Sequence, residues 1–183
     1  MSRNRPTPVL GFAAYSGTGK TTLLVKLLPV LTGRNFRVGI IKHAHHTFEI
    51  DHEGKDSYKL RKAGAQQLLI GSEKRWALLV ENHNQKKYAL ADFIGQLDQG
   101  ELDLILVEGF KPVQIPKIEL VRPVLGKPLF YPEDESVIAV ATDAKLPEKT
   151  ELPVLDINDP VQIADFIIND FLAETDVSAN TGT

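Results

Sequence analysis

Short runs of apolar residues alternate along the chain with stretches in which apolar residues recur at helical spacing. Residues 9–14 are almost continuously apolar, which is typical of a strand buried on both faces of a parallel sheet. From Lys20 to Leu31 the spacing predicts a helix that ends near Gly33. Pro29 lies inside this helix and should kink or shorten it.

The same pattern continues to the other end of the chain. It predicts strands at 37–43, 67–71, 75–81, 104–107, 117–121, 137–141 and 154–155, and helices at 56–63, at 90–97 and from Asp159-Pro160 onward, the last with Ile163, Ile167 and Phe171 on one face. Strands alternating with helices indicate an α/β fold: three layers, with a mainly parallel sheet flanked by helices.

Length and composition narrow the functional classes. With 183 residues and 43% hydrophobic content, we expect one domain over 1–174 and a disordered tail over 175–183. The chain has no cysteine, so disulfides and thiolate metal sites are excluded. A net charge of −3 argues against nucleic acid as the main partner. No apolar run reaches the roughly 20 residues that cross a bilayer, so we expect a cytoplasmic protein without membrane contact.

The loop after the first strand carries a phosphate-binding motif. It matches G-x-x-x-x-G-K-[ST] except that Ala14 replaces the first glycine, which predicts a P-loop NTPase fold. Backbone N–H groups and the start of the following helix would surround the phosphates, and Lys20 would reach the β and γ phosphates. The alternative is a glycine-rich turn that only connects strand and helix. The candidate phosphate ligands are Ser16, Gly17, Thr18, Gly19, Lys20, Thr21 and Thr22.

A carboxylate follows a later apolar strand, as a P-loop site requires. Glu108 would hold Mg²⁺ together with the Thr21 hydroxyl, and Glu108 and Lys20 are the candidate catalytic residues. Gly109 would let the backbone approach the γ-phosphate. Glu108 is otherwise an ordinary exposed glutamate at a strand end.

The polar stretch from Ala44 to Lys55 suggests a functional loop. It is either a polar cover over the nucleotide, with Lys42 and His43 contacting phosphate or a second ligand, or a transition-metal site. The candidate metal ligands are His43, His45, His46, His52, Asp51 and Glu53.

Several further residues have two interpretations each. Asp56 either joins the magnesium site or caps its helix. Arg61, Lys62 and Lys111 either bind a second anionic ligand or are solvated surface cations. Trp76 is expected in the core rather than on a binding surface.

Five segments together resemble the MobB family of molybdopterin-guanine dinucleotide biosynthesis adapter proteins. They are Ala13 to Leu24, Ile41 to His46, Gly54 to Tyr58, Leu60 to Ala65 and Leu104 to Lys111. The resemblance implies a GTP-binding protein with weak GTPase activity. It also implies assistance to the guanylyltransferase MobA in attaching GMP to the molybdenum cofactor, contact with molybdopterin or its guanine dinucleotide, and a homodimer in which 111–132 is one possible contact region.

The resemblance also bears on the nucleobase. In this class of GTPases an aspartate after a late strand can read guanine, and Asp143 occupies the corresponding place. A carboxylate accepts hydrogen bonds from guanine N1–H and N2–H₂, whereas adenine has no such pair of donors. The alternative is a loop aspartate that caps a turn. The sequence has no Asn-Lys-x-Asp motif, and Tyr15 stands where some relatives have a second phosphate-binding lysine.

Two other functions use the same motifs. One is an ATP-dependent small-molecule kinase or ligase similar to dethiobiotin synthetase, although the chain has no obvious Arg-rich lid. The other is a metallochaperone GTPase that delivers a metal through the histidine loop.

Overall fold

A computed structural model describes residues 6–44, 48–82 and 87–175. The chain divides into two compact units, one from Met1–His43 with Leu90–Thr183 and one from Ala44–Ala89. The single domain over 1–174 stays a prediction. Of the tail expected over 175–183, Thr175 is helical and the other residues lie outside the described ones.

The larger unit contains a six-stranded parallel sheet, and the smaller unit contains a two-stranded antiparallel hairpin. The six strands have the order β2-β5-β1-β6-β7-β8, so all their carboxyl ends lie along one edge. The eight strands in chain order are β1 (Val9–Ala13), β2 (Val38–Lys42), β3 (Gln67–Gly71), β4 (Trp76–Val80), β5 (Leu104–Glu108), β6 (Lys117–Val121), β7 (Val137–Thr142) and β8 (Val154–Asp156).

Four α-helices accompany the strands. They are α1 (Lys20–Gly33), α2 (Asp56–Lys62), α3 (Leu90–Ile94) and α4 (Pro160–Phe166), and a π-helical segment, Ile167–Phe171, continues α4. Short 3-10 turns occur at Gln99–Glu101 and Pro123–Leu125. Within the described residues, none of these helices has the length and apolar character to cross a bilayer.

Helix α1 runs past Pro29, so the predicted shortening is wrong. Pro29 is exposed and cannot donate to the carbonyl of Val25, four residues earlier. Val25 is itself 64% exposed, so water can satisfy that carbonyl. The apolar face of the helix, which contains Leu23, Leu24, Leu27 and Leu31, is buried and keeps the helix on the sheet.

Helix α4 begins as its sequence predicts. The Asp159 side chain accepts hydrogen bonds from the backbone N–H groups of Val161 and Gln162, and Pro160 occupies the first turn, where a missing N–H costs nothing. The predicted inner face, Ile163, Ile167 and Phe171, is buried.

Alternate residues of the central strands face opposite sides of the sheet. Leu104 and Leu106 belong to one apolar cluster, which also contains the inner faces of α1 and α4. Ile105 and Val107 belong to a second cluster on the other side, with Leu90 of α3. The predicted three-layer α/β fold is therefore confirmed.

The smaller unit pairs β3 with β4, with Leu69 opposite Leu78 and Gly71 opposite Trp76. Helix α2 contacts β3. Trp76 is 69% exposed, so its expected place in the core is wrong. The reason is that residues opposite each other share a face of a hairpin, and the face with Trp76, Leu69 and Leu78 is exposed.

Candidate functional site

The phosphate-binding motif forms the loop between β1 and α1. Gly17 and Gly19 have φ angles of 84° and 100°, which residues with a Cβ rarely adopt. Helix α1 begins at Lys20, and the Leu23 N–H donates to the Gly19 carbonyl at 2.9 Å. The predicted strand, loop and helix are thus where a P-loop requires them.

The candidate phosphate ligands of the loop differ in their surroundings. Ser16, Gly17, Thr21 and Thr22 are exposed. Thr18 is only 2% exposed, and its hydroxyl donates to the Tyr15 carbonyl at 2.9 Å. The Thr18 side chain therefore fixes the loop conformation and is not exposed to an anion, and the Thr18 backbone N–H also donates to the Tyr15 carbonyl, at 3.4 Å.

Lys20 folds back over its own loop. Its Nζ donates to the carbonyls of Ala14 at 3.0 Å and Tyr15 at 3.2 Å. Burial lowers the pKa of Lys20, and the positive charge of Lys111 lowers this pKa further. A phosphate group would relieve both effects by supplying negative charge.

Glu108 ends β5 next to the loop. The Thr21 hydroxyl donates to Glu108 Oε1 at 3.5 Å, and Lys42 Nζ lies 3.2 Å from Glu108 Oε2. The structure therefore brings together four predicted site residues, Lys20, Thr21, Lys42 and Glu108, from β2, β5 and α1. A hydroxyl and a carboxylate together are oxygen donors suited to Mg²⁺.

Gly109 lies directly against His43. A Cβ added to Gly109 would be 2.7 Å from the Cβ of His43, and the φ angle of Gly109 is 104°. The His43 N–H donates to the Glu108 carbonyl at 2.8 Å, and the His43 ring packs on Phe110 with a centroid distance of 4.6 Å. The close approach at Gly109 is thus required by His43, whereas the predicted approach to a γ-phosphate stays a prediction.

An aromatic pair supports the loop from the other side. The Tyr15 ring stacks on Phe130 at 4.9 Å, and Lys111 Nζ lies 4.4 Å from the Tyr15 ring centroid. Glu119, which is 1% exposed, accepts the backbone N–H groups of Phe130 at 2.9 Å and Tyr131 at 2.8 Å. The buried carboxylate of β6 thereby holds the segment that packs on the P-loop.

Arg122 lies at the candidate site and was not singled out by the sequence analysis. It follows β6 directly, its Nε donates to the Thr18 carbonyl at 2.9 Å, and its Nη1 donates to Asp143. Asp143, which follows β7, is therefore connected to the P-loop through one guanidinium group. The available signal was position, because Arg122 comes immediately after a buried strand of the parallel sheet.

The remaining candidates belong to the smaller unit. Asp56 opens α2 without a capping hydrogen bond, since Lys55 is the capping position, so the helix-cap interpretation is wrong. The Asp56 carboxylate is 95% exposed and pairs with Lys59, and its magnesium role stays a prediction. Arg61 binds Glu49 at 2.5 Å and Glu81 at 2.8 Å, which explains its burial without an anionic ligand.

The histidine loop lies only partly within the described residues. His45 and His46 are outside them. Asp51 accepts hydrogen bonds from the His52 N–H and the Ser57 hydroxyl. Within 6–44, 48–82 and 87–175, the His, Asp and Glu residues form no group of three placed to hold a metal ion.

Comparison with known proteins agrees with this geometry. The family model described as Molybdopterin guanine dinucleotide synthesis protein B matches residues 9–143, which is most of the chain. The chain belongs to this family. Membership in the MobB family places the chain in molybdopterin guanine dinucleotide biosynthesis and confirms the resemblance found in the sequence.

Individual MobB relatives are similar over nearly the whole chain. The molybdopterin-guanine dinucleotide biosynthesis adapter protein of Escherichia coli (strain K12) is 49% identical over 169 residues, covering 92% of this chain and 95% of that protein. Its counterpart in Haemophilus influenzae is 48% identical over 167 residues, covering 91% and 90%. A crystal structure of MobB has a TM-score of 0.69 at 25% identity, over 90% of this chain and 99% of that one.

We predict that Glu119→Gln changes stability in a pH-dependent way. Burial raises the pKa of Glu119 above its ordinary value of 4.5. The folded protein then holds the proton more tightly than the unfolded chain, so the contribution of Glu119 is full at low pH and declines as pH rises through the folded pKa. A glutamine has no charge to bury, so its contribution does not change with pH, and its NH₂ group faces an N–H donor where the carboxyl of Glu119 has an oxygen, a loss of about 1–3 kcal/mol. The deficit of the variant should therefore be largest in acid and shrink as pH rises.

Urea unfolding measured from roughly pH 4 to pH 8 checks this prediction. Glu135→Gln is the matched control, because Glu135 is an exposed glutamate just before β7. A deficit of Glu119→Gln that grows with pH would contradict the assigned direction of the pKa shift.

Proposed function

We propose that the chain is a GTP-binding adapter with weak GTPase activity. It assists a MobA-like guanylyltransferase in attaching GMP to molybdopterin, and it contacts molybdopterin or its guanine dinucleotide while doing so. The proposal is supported by MobB membership and by one observation above all. The parallel sheet brings the phosphate loop, the carboxylate of Glu108 and the proposed base reader Asp143 to the same edge.

The phosphates are assigned to the loop and to the lysines around it. Backbone N–H groups from Ser16 to Thr22 and the ammonium of Lys20 bind them in this proposal. Lys42 and Lys111 add positive charge near Lys20, and the charge of each lowers the pKa of Lys20. A triphosphate therefore meets a local positive pocket although the whole chain has a net charge of −3.

Thr21 and Glu108 fit a Mg²⁺ ion, because they are a hydroxyl and a carboxylate held near each other at the P-loop. When bound, the ion neutralises charge on the β and γ phosphates. Lys42 occupies the second oxygen of Glu108 and would give up that contact or share it. The role of Asp56 as a further ligand stays a prediction from the sequence, and within its own unit its carboxylate pairs with Lys59.

Slow hydrolysis follows from the same contacts. Glu108 is the candidate for orienting the attacking water, yet its two oxygens already contact Thr21 and Lys42. Both oxygens of this carboxylate are therefore engaged, which leaves it poorly placed to orient a water as well. The site would thus hydrolyse its nucleotide slowly, which suits an adapter that presents a ligand to a partner enzyme. We place this activity in the cytoplasm, where GTP is available. A chain without cysteine has no disulfide that the reducing conditions there would break.

Homodimerisation is assigned to the hairpin of the smaller unit. Leu69, Trp76, Leu78 and Val80 share one face of β3 and β4 and are 65%, 69%, 42% and 51% exposed. An apolar face of this kind is typical of a protein contact. The region 111–132, suggested from the sequence, is less suitable because β6 lies inside it and is fully buried in the sheet.

The proposed function predicts a change of base preference in Asp143→Asn. An aspartate accepts from guanine N1–H and N2–H₂, whereas an asparagine amide also donates and therefore suits the C2 carbonyl of xanthine. We expect GTP binding to weaken by roughly tenfold to a hundredfold, the factor for a charged hydrogen bond of about 1.5–3 kcal/mol, and XTP binding to improve.

Calorimetric titration of the wild type and the variant with GTP, ATP and XTP in the presence of Mg²⁺ measures this change. Asp170→Asn is the matched control, because Asp170 is exposed on the π-helical segment. A wild type that prefers ATP, or has no base preference, would favour the small-molecule kinase or ligase instead.

The phosphate assignment predicts that Lys20→Ala binds triphosphate poorly while remaining folded. Losing the ammonium removes at least one charge-assisted contact, which is roughly a tenfold to hundredfold loss of affinity. Tripolyphosphate is the probe, since it has no base. Lys26→Ala in the same helix is the control, because Lys26 is exposed. Equal affinity of folded Lys20→Ala and Lys26→Ala would rule out the phosphate assignment.

The dimer assignment predicts that Leu69→Asp shifts the protein toward monomer. A buried unpaired carboxylate at the contact costs several kcal/mol, so the dissociation constant of the dimer should rise by at least about a hundredfold. Sedimentation equilibrium measures the monomer fraction. Val161→Asp is the control, since Val161 is 46% exposed on α4 in the other unit and lies outside region 111–132. An unchanged dimer in Leu69→Asp would exclude this face.

A further inference from the structure

Three neighbouring strands each end in a polar side chain at the same edge of the sheet. Arg122 follows β6, Asp143 follows β7, and Asn158 lies two residues beyond the end of β8. These strands pair in parallel, so their carboxyl ends are adjacent. In open α/β sheets this edge is where ligands bind.

One guanidinium group connects these side chains to the phosphate loop. Arg122 Nε donates to the Thr18 carbonyl at 2.9 Å, Nη1 donates to Asp143 Oδ2, and Nη2 donates to Asn158 Oδ1 at 3.3 Å. The three nitrogens lie in one rigid plane. Fixing one of these contacts therefore restricts the geometry of the other two.

The contacts are better shielded than an ordinary surface ion pair. The side chains of Arg122 and Asp143 are 28% and 26% exposed, compared with 35% and 50% for the pair of Arg34 and Asp165. Thr18 is 2% exposed, so the carbonyl at the other end of the connection belongs to a fixed part of the loop. Arg122 is thus anchored on the P-loop and directed at the carboxylate.

We infer that Arg122 is a positioning residue that determines base specificity by holding the Asp143 carboxylate in orientation relative to the P-loop. This inference rests on the proposed function, in which Asp143 reads guanine. It adds the residue that makes the reading selective. Asn158 supports the same guanidinium from the end of β8.

The chemistry of the carboxylate allows both contacts at once. Two oxygens offer about four acceptor positions, and Arg122 uses one of them on Oδ2. The others remain for guanine N1–H and N2–H₂. Adenine would place its N1 acceptor against the same oxygens, and a carboxylate that Arg122 prevents from rotating away cannot avoid that repulsion. Selectivity therefore depends on the Arg122 contact as well as on the charge of Asp143.

The test is a double-mutant cycle read as the ratio of the ATP and GTP dissociation constants. The proteins are the wild type, Arg122→Gln, Asp143→Ala and the double variant, titrated by calorimetry with Mg²⁺ present. Contributions from the phosphates and from a general loosening of the loop cancel in this ratio. Arg34→Gln is the matched control, because it removes an ion pair at the end of α1. Arg122→Lys keeps the charge but not the planar fork.

We expect Arg122→Gln to lower the preference for GTP about tenfold, the factor for one charge-assisted hydrogen bond, and Arg122→Lys to restore it only in part. In the Asp143→Ala background the Arg122 substitution should leave the ratio unchanged, and Arg34→Gln should match the wild type. If the wild type prefers GTP and loses the preference in Asp143→Ala but keeps it in both Arg122 variants, this inference alone is overturned. An equal effect of Arg122→Gln with and without Asp143 overturns it too. If the wild type does not prefer GTP, the proposed function and the inference fail together.

Discussion

The parallel pairing of β1 with β5 and β6 is the constraint on which the site depends. Phe12 of β1 is level with Glu108 of β5, and Ala13 is level with Glu119 of β6. This register places the end of β1, where the P-loop starts, beside the Glu108 carboxylate. A shift of one residue would turn the side chains of β5 to the opposite faces of the sheet and separate Glu108 from Thr21.

The polar residues of this edge divide between holding the loop and leaving it open to a ligand. The Thr18 hydroxyl, the Tyr15 ring and the Arg122 guanidinium all contact parts of the protein and fix the loop. Ser16 and Thr21 are exposed. A loop of this kind can bind an anion with little loss of conformational entropy, because contacts with the rest of the protein already determine its conformation.

Much of the fold was predictable from the sequence because the strands of a covered parallel sheet are apolar throughout, as in Leu104 to Val107. Asp159-Pro160 likewise predicted the start of α4 through local capping. The residues whose positions or roles were not predicted depend on contacts between segments that are far apart in the sequence. A tryptophan in an apolar segment predicts a position in the core. Only the pairing of β3 with β4 shows that Trp76 lies on the exposed face of the hairpin. Arg122 gave no motif, since its partners are 104, 21 and 36 residues away in sequence.

Local charge gives a chain of net charge −3 a positive region beside the P-loop. Lys20, Lys42 and Lys111 come from α1, β2 and the segment after β5, and only the fold brings them near one another. Glu108 offsets part of their repulsion, since its charge raises the pKa of Lys20 while burial and the two lysines lower it. The lysines therefore carry more positive charge than the single carboxylate neutralises. A polyphosphate bound at this loop, as proposed, would supply the negative charge that the single carboxylate does not.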